Sequence, residues 1–217
     1  MAAILRSMMR NGLVLGVFAV VGTGIVALTH HNTRQRITAN QRQALLASLH
    51  ELVPPRDYNN DIIEDTITVT DPRLLGTRDP VTVYRARRNG EPVAVVMTPV
   101  APDGYNGDIK LLEAIRYDGT ILGVRVVAHN ETPGLGDNIE RSKSPWITTF
   151  KGRTLSHPSP AQWHVKRDGG VFDQFTGATI TPRAVVKAVH NCLKYYMSHR
   201  KALFRTRAKG TAIHHDK

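Results

Sequence analysis

Cysteine is almost missing from this chain: Cys192 is the only one among 217 residues. A single thiol excludes an intrachain disulfide. It also excludes an iron–sulfur cluster, which needs several thiolate or imidazole ligands. No Cys-x-x-Cys-His run is present to fasten a haem. Any redox role would therefore rest on an organic cofactor or on histidines. The ten histidines are scattered, with pairs at His30-His31 and His214-His215, and none shows metal-ligand spacing on a helix. Cys192 falls among apolar residues at helical spacing, which reads as a packed core thiol. Acids are scarce too, 18 against 29 Lys and Arg, giving a net charge of +11. The excess is uneven, because from Lys194 onward seven Lys or Arg face one acid, Asp216, which leaves +6 there. Arg200, Lys201, Arg205, Arg207 and Lys209 could meet anionic lipid or an acidic partner protein, although a solvated end is the simpler reading. Nucleic acid is not expected as a partner, since neither zinc-finger spacing nor an RNP-like aromatic pattern accompanies the charge. Internal repeats, low-complexity stretches and a Ser-His-Asp arrangement are lacking. Paired acids such as Asp57 and Asp61, or Glu64 and Asp65, do not by themselves argue hydrolysis.

Charge is also missing locally. Residues 11–33 contain no Asp, Glu, Lys or Arg, and the run from Gly12 to Leu28 is strongly apolar. A helix rising ~1.5 Å per residue crosses a ~30 Å hydrocarbon core in roughly 20 residues, so one membrane span is predicted. A cleaved signal peptide is the rival reading. Arg6 and Arg10 suit its basic start, but the run is long and Val26-Ala27-Leu28-Thr29 is a poor cleavage site. Arginines lie on both sides of the span (Arg6 and Arg10; Arg34, Arg36 and Arg42), so charge does not decide orientation. Within the stalk segment, residues 34–55, a helix is predicted over residues 34–53, either continuing the membrane helix as a stalk or packed on the domain. Ile37, Leu45, Leu46, Leu49, Leu52 and Val53 share one side of it, and Pro54-Pro55 ends it.

Beyond the prolines the pattern turns to β. Asp65–Thr70 reads as a strand stopped by Asp71-Pro72. Two apolar runs flank Asn89-Gly90, a strong hairpin signal because both turn residues must accept positive φ. A second hairpin runs from Ile109 to Ala128 through Asp118-Gly119. Between the hairpins, Pro99–Asp108 is rich in turn formers and holds Tyr105. A tight Gly/Pro loop, Glu131-Thr132-Pro133-Gly134-Leu135-Gly136, follows the last strand. Trp146, Ile147 and Phe150 read as a short helical segment whose rings pack on the core, the alternative being that one of them borders a bound ligand. Trp163–Val165 reads as a strand, with Asp168-Gly169-Gly170 as a turn, leading to Asp173-Gln-Phe-Thr176-Gly177-Ala178-Thr179-Ile-Thr181-Pro182. There Thr181 suits a helix N-cap and Pro182 the first helical position. Val185, Val186, Val189, Leu193, Tyr196 and Met197 then recur at helical spacing. Thr179 thus lies beside a helix N-terminus, whose unpaired N–H groups and positive dipole end favour a phosphate. The predicted class is α+β: one transmembrane helix, then a small antiparallel-sheet domain with flanking helices. The organisation is 1–10 N-terminal arm, 11–33 anchor, 34–55 stalk, 56–198 domain and 199–217 basic tail.

The stretch Asp173–Thr179 resembles the D-x-x-[S/T]-G-A-T flavinylation motif of the FMN-binding domain family, and Glu131–Gly136 is similar to a loop that its members carry near the flavin. Within the family the chain resembles the G subunits of Rnf-type ion-translocating electron transport complexes. The corresponding C subunits of the sodium-pumping NADH:quinone reductase are the nearest alternative. A membrane-tethered scaffold without redox function, in which Thr-Gly-Ala-Thr is merely a turn, stands as the competing class. The resemblance implies FMN joined through its phosphate to Thr179 by a dedicated flavin transferase. Asp173, Thr176, Gly177 and Ala178 would serve modification or shape the phosphate turn. Glu131, Thr132, Pro133, Gly134, Leu135 and Tyr105 would border the flavin. It further implies a periplasmic domain anchored in the inner membrane, with membrane lipid and other subunits of the complex as partners. The chain would relay electrons between ferredoxin and NAD without a substrate pocket of its own.

Overall fold

The computed structural model describes the backbone of residues 2–205, so Arg207, Lys209 and the pair His214-His215 lie outside the described residues. The chain divides into two compact units, Met1–Ala47 and Ser48–Lys217. The first unit is helix α1, which runs without a break over Ala2–Leu52 and reaches into the second. Its stretch Met8–Ala27 is 20 residues long with a mean hydropathy of 1.6, long and apolar enough to cross a membrane. Of the two readings of the stalk, the structure has the first, a continuation of the apolar helix. Its last turn belongs to the globular unit, where Leu49 and Leu52 are buried together with Val53. Glu51 in that turn pairs with Arg125 at 2.5 Å, and this bond holds the Glu51 carboxyl below its ordinary pKa.

The globular unit is built on a six-stranded antiparallel sheet: β1 (Thr66–Val69), β2 (Val81–Arg88), β3 (Glu91–Met97), β4 (Val100–Ala101), β5 (Ile109–Arg116) and β6 (Ile121–Ala128). The strands follow one another as a meander. Strand β5 has β3 and then β4 along one edge and β6 along the other. Both predicted hairpins form. Asn89 and Gly90 take positive φ (53° and 85°) in the first turn, and Gly119 does so at 95° in the second. Between the hairpins the chain forms β4 as well as the loop predicted there.

Helix α2 (Pro72–Leu75) is one short turn, capped by Asp71, which accepts from the N–H groups of Arg73 and Leu74. Helix α3 (Ile180–Leu203) covers one face of the sheet. Its Val185, Val189, Cys192, Leu193 and Tyr196 join Val83, Val95, Met97, Leu111 and Ile115 in the main core. Alternation along the strands places Ala94, Val96, Leu112 and Ala114, also buried, on the other face. The end of α1 lies there: a Cβ added at Gly123, opposite Ala114, would sit 2.9 Å from Leu52 Cδ2. With both faces covered, β5 reads as a nearly continuous buried run rather than an alternating one.

Two local expectations are corrected. Trp163–Val165 is not a strand; Val165 makes one isolated bridge to Phe172, and single 3-10 turns lie at Pro160–Gln162 and Lys166–Asp168. Gly169, at φ 82°, folds the chain back, and Gly170 packs so closely on His164 that no Cβ would fit. Trp163 instead joins an aromatic cluster with Phe150 and Phe172. The boundary drawn at residue 199 is also too early, since α3 continues to Leu203, and Leu203 and Phe204 are buried. Arg85 and Arg87, joined by Asp65, donate to the carbonyls of Leu203, Phe204 and Arg205 and hold this end in place. Arg200 of the predicted solvated tail stacks on Tyr117 at 5.0 Å.

Candidate functional site

The stretch Asp173–Thr179 forms a compact turn at the start of α3. Gly177 takes φ 82°, a value that L side chains rarely adopt, and so lets the chain reverse. Phe175 and Ala178 bridge across the reversal, with Ala178 N–H donating to Phe175 O at 3.2 Å. Trp146 fixes the turn from beneath: its indole N–H donates to Asp173 O at 2.7 Å, and its ring meets Phe175 at 5.1 Å.

The helix begins two residues earlier than the sequence suggests. Thr179, not Thr181, is the N-cap, and Ile180 is the first helical residue. Thr181 is drawn inside because its buried hydroxyl donates to Glu131 Oε2 rather than accepting from the helix. Pro182 consequently sits third in the helix, still within the first turn, where a missing N–H costs no hydrogen bond. Thr179 itself makes no side-chain capping bond. Its hydroxyl therefore stands at the positive end of a 24-residue helix without a capping role.

A cavity of about 310 Å³ opens beside it. Of the residues singled out in the sequence, Thr179, Gly177, Ala178, Glu131, Thr132, Leu135 and Tyr105 line it. Asp173, Thr176, Pro133 and Gly134 do not. The Asp173 carboxylate turns away to an exposed ion pair with Lys166 at 2.5 Å. Thr176 is exposed on the turn, and Pro133 and Gly134 are exposed in their loop. Gly136, Ile180 and Thr181 line the cavity but were not singled out as lining residues. The signal for Gly136 was present, since it closes the same Gly/Pro loop.

Glu131 was expected as part of a flavin wall, and its geometry adds a different task. It is buried, with Oε1 accepting from Asn106 N–H at 3.0 Å and Oε2 from Thr181. One carboxylate thus joins three distant pieces: the loop before β5, the loop after β6 and the first turn of α3. Its own N–H donates to His129 Nδ1 at 3.0 Å, and His129 Nε2 meets Glu140 at 2.9 Å, which holds the Glu140 carboxyl below its usual range. The pieces meet this closely because two of them carry glycine. A Cβ at Gly104 would lie 2.9 Å from Glu131 Oε1, and one at Gly136 would lie 3.1 Å from Thr181 Oγ1.

This site fits a phosphate-bearing planar cofactor such as FMN. The helix N-terminus offers N–H donors and Thr179 an uncommitted hydroxyl. Tyr105, Leu135 and Ile180 present exposed apolar surface around the cavity, 64%, 42% and 46% accessible respectively. Both oxygens of Glu131, the buried carboxylate lining the cavity, are already turned to donors of the chain itself.

Comparison with known proteins agrees. The model of the FMN-binding domain family matches residues 104–194, a span that contains the cavity, and the model of the RnfG N-terminal region matches residues 1–52. The chain is 52% identical over 202 residues to the G subunit of the ion-translocating oxidoreductase complex of Pseudomonas aeruginosa, covering 93% of this chain and 94% of that one. The G subunit of Shewanella piezotolerans is 47% identical over 198 residues, covering 91% and 93%. That of Vibrio cholerae is 46% identical over 199 residues, covering 92% and 95%. Similar along nearly its whole length to proteins of that one description, the chain belongs to the family of G subunits of the ion-translocating oxidoreductase complex.

Proposed function

We propose that the chain is the electron-carrying G subunit of an Rnf-type ion-translocating ferredoxin:NAD oxidoreductase complex, with FMN joined by a phosphoester to Thr179. The observation that carries the proposal is the Thr179 hydroxyl, which lies at the N-terminus of α3, beside a cavity, and makes no capping bond. In the attachment, Thr179 Oγ bonds to the phosphorus of the FMN moiety of FAD and loses its proton. The pyrophosphate bond breaks and AMP leaves, a step supplied by a flavin transferase. When bound, FMN accepts and passes electrons singly. The chain does the rest. The first turn of α3 would hold the phosphate, and Tyr105, Leu135 and Ile180 would give the ring an apolar bed. Glu131 keeps the three loops together. The stretch Met8–Ala27 anchors the chain as a single pass in the inner membrane among lipid, with the globular unit on the periplasmic side. Tethering suits that side, where free FMN is scarce. The match to the RnfG N-terminal region supports the Rnf assignment over the sodium-pumping reductase.

Intact mass of the chain purified from its native membrane, followed by peptide sequencing, tests this. An added mass of FMN less one water on Thr179 is expected, and Thr179→Ala is expected to remove it while the fold persists. An unmodified Thr179 in cells that flavinylate other proteins would overturn the tether and favour the scaffold reading.

A further inference from the structure

The outer face of α3 carries a second feature, away from the motif turn. Two depressions flank it. One, of about 500 Å³, is bounded by the chain at Pro160–Asp168 and has Trp163, Val165 and Val186 among its walls. The other, of about 980 Å³, is bounded by α2 and has Leu74 and Tyr195 among its walls. Lys187, Asn191 and Lys194 belong to both. Their spacing of four and three puts them on one ridge of the helix.

Charge on this face is uneven. Its acids are engaged within the chain. Asp168 binds Arg183 through two bonds of 2.6 and 2.8 Å, which holds its carboxyl below the usual range. Asp103 pairs with Lys187 at 2.5 Å, and Asp71 caps α2. Lys194 and Arg73 are exposed and have no ion pair among the described residues. His190 lies flat on Trp163, 4.8 Å between ring centres and 6° between planes. Burial, then Lys194 and His164, hold His190 down to about 4, so it is neutral at pH 7 and extends the apolar floor.

We propose that this face of α3 docks an acidic segment of another subunit of the complex, a reading that rests on the membership of such a complex argued above. Carboxylates of the segment would meet Lys194 and Arg73, and an apolar side chain would enter beside Trp163 and His190. The shape favours a protein over a bilayer. A lipid surface is flat, whereas a ridge between two hollows receives protruding side chains. Complementary charge of this kind sets partner and orientation more than raw affinity. Exposed pairs such as Lys187–Asp103 are weak enough to exchange for a partner carboxylate.

The test is lysine footprinting of the assembled complex against the full-length chain alone in detergent. Lys187 and Lys194 are expected to label several-fold more slowly in the complex. Equal labelling in the two preparations would overturn the proposal. So would equal protection of the chain alone by phosphatidylglycerol vesicles, which would assign the face to anionic lipid. As a second measurement, Lys194→Glu combined with Arg73→Glu is expected to cut retention of the chain in the purified complex several-fold and to leave its flavin mass unchanged. Full retention of that variant would also overturn the proposal. The flavin mass reports separately on the tether at Thr179.

Discussion

Glu113 is a carboxyl in the wrong solvent. It is fully buried on β5, facing α3, and neither oxygen has a hydrogen-bond partner. Burial pushes its pKa well above the ordinary 4.5, against a smaller opposing effect of the neighbouring Cys192 thiol. The Cys192 thiol is itself pushed well above its ordinary range by burial and by Glu113. Above pH 4.5 the unfolded chain releases the Glu113 proton while the folded chain keeps it. The folded state then binds more protons, so stability falls as pH rises, by up to about 1.4 kcal/mol per pH unit for one proton. Glu113→Gln removes that proton. It is expected to be more stable than the parent at pH 8, with the difference shrinking toward pH 4.5. Guanidinium unfolding followed by the fluorescence of Trp146 and Trp163 measures it, and equal pH slopes for both chains would contradict this account. Glu131 is the opposite case, a buried carboxylate whose oxygens both accept hydrogen bonds. Glu131→Ala leaves the Asn106 N–H and the Thr181 hydroxyl without their acceptor and is expected to cost about 2 kcal/mol. It should also lower the fraction of chain carrying flavin, read by intact mass. Full occupancy would show that the three loops hold together without it.

At the scale of elements, α3 is held at both ends by groups from elsewhere in the chain. Its first turn is bound to Glu131, and its last carbonyls to Arg85 and Arg87. Those two guanidinium groups are mostly buried, with side chains 8% and 12% accessible, and they share the one carboxylate of Asp65. Removing a buried ion partner strands the charge it served. Asp65→Ala is therefore expected to destabilise the globular unit by about 3 kcal/mol. Amide exchange should be fastest at Leu203 and Phe204, while the motif turn at the far end stays protected. Uniform acceleration along α3 would mean that the two ends are not independently fixed.

At the scale of the whole chain, the proposed orientation has a direct test, because Cys192 is buried and silent toward aqueous reagents. A cysteine placed at exposed Lys151 becomes the one reactive thiol among the described residues. With the domain on the periplasmic side, Lys151→Cys is expected to react with a membrane-impermeant maleimide once the outer membrane is permeabilised. Reaction only after the inner membrane is broken would place the domain on the other side.

Much of this architecture was legible as local pattern. The apolar run of α1, the turns at Asn89-Gly90 and Asp118-Gly119, and Asp173–Thr179 ahead of a helix each follow from a few adjacent residues. Backbone conformation and periodicity are local properties, and those readings hold in the structure. Contacts between distant segments were not legible. Thr181 reads as an N-cap until Glu131, 50 residues away, claims its hydroxyl. Trp163–Val165 reads as a strand, and the turn at Gly169-Gly170 is legible, but not that Gly170 packs back against His164. The end of α3 reads as a solvated tail until Arg85 and Arg87 bind its carbonyls. In each case a charged, polar or closely packed partner from elsewhere outweighed a local preference worth at most about 1–2 kcal/mol. Spacing along the chain carries no record of such a partner, so only the folded structure could decide.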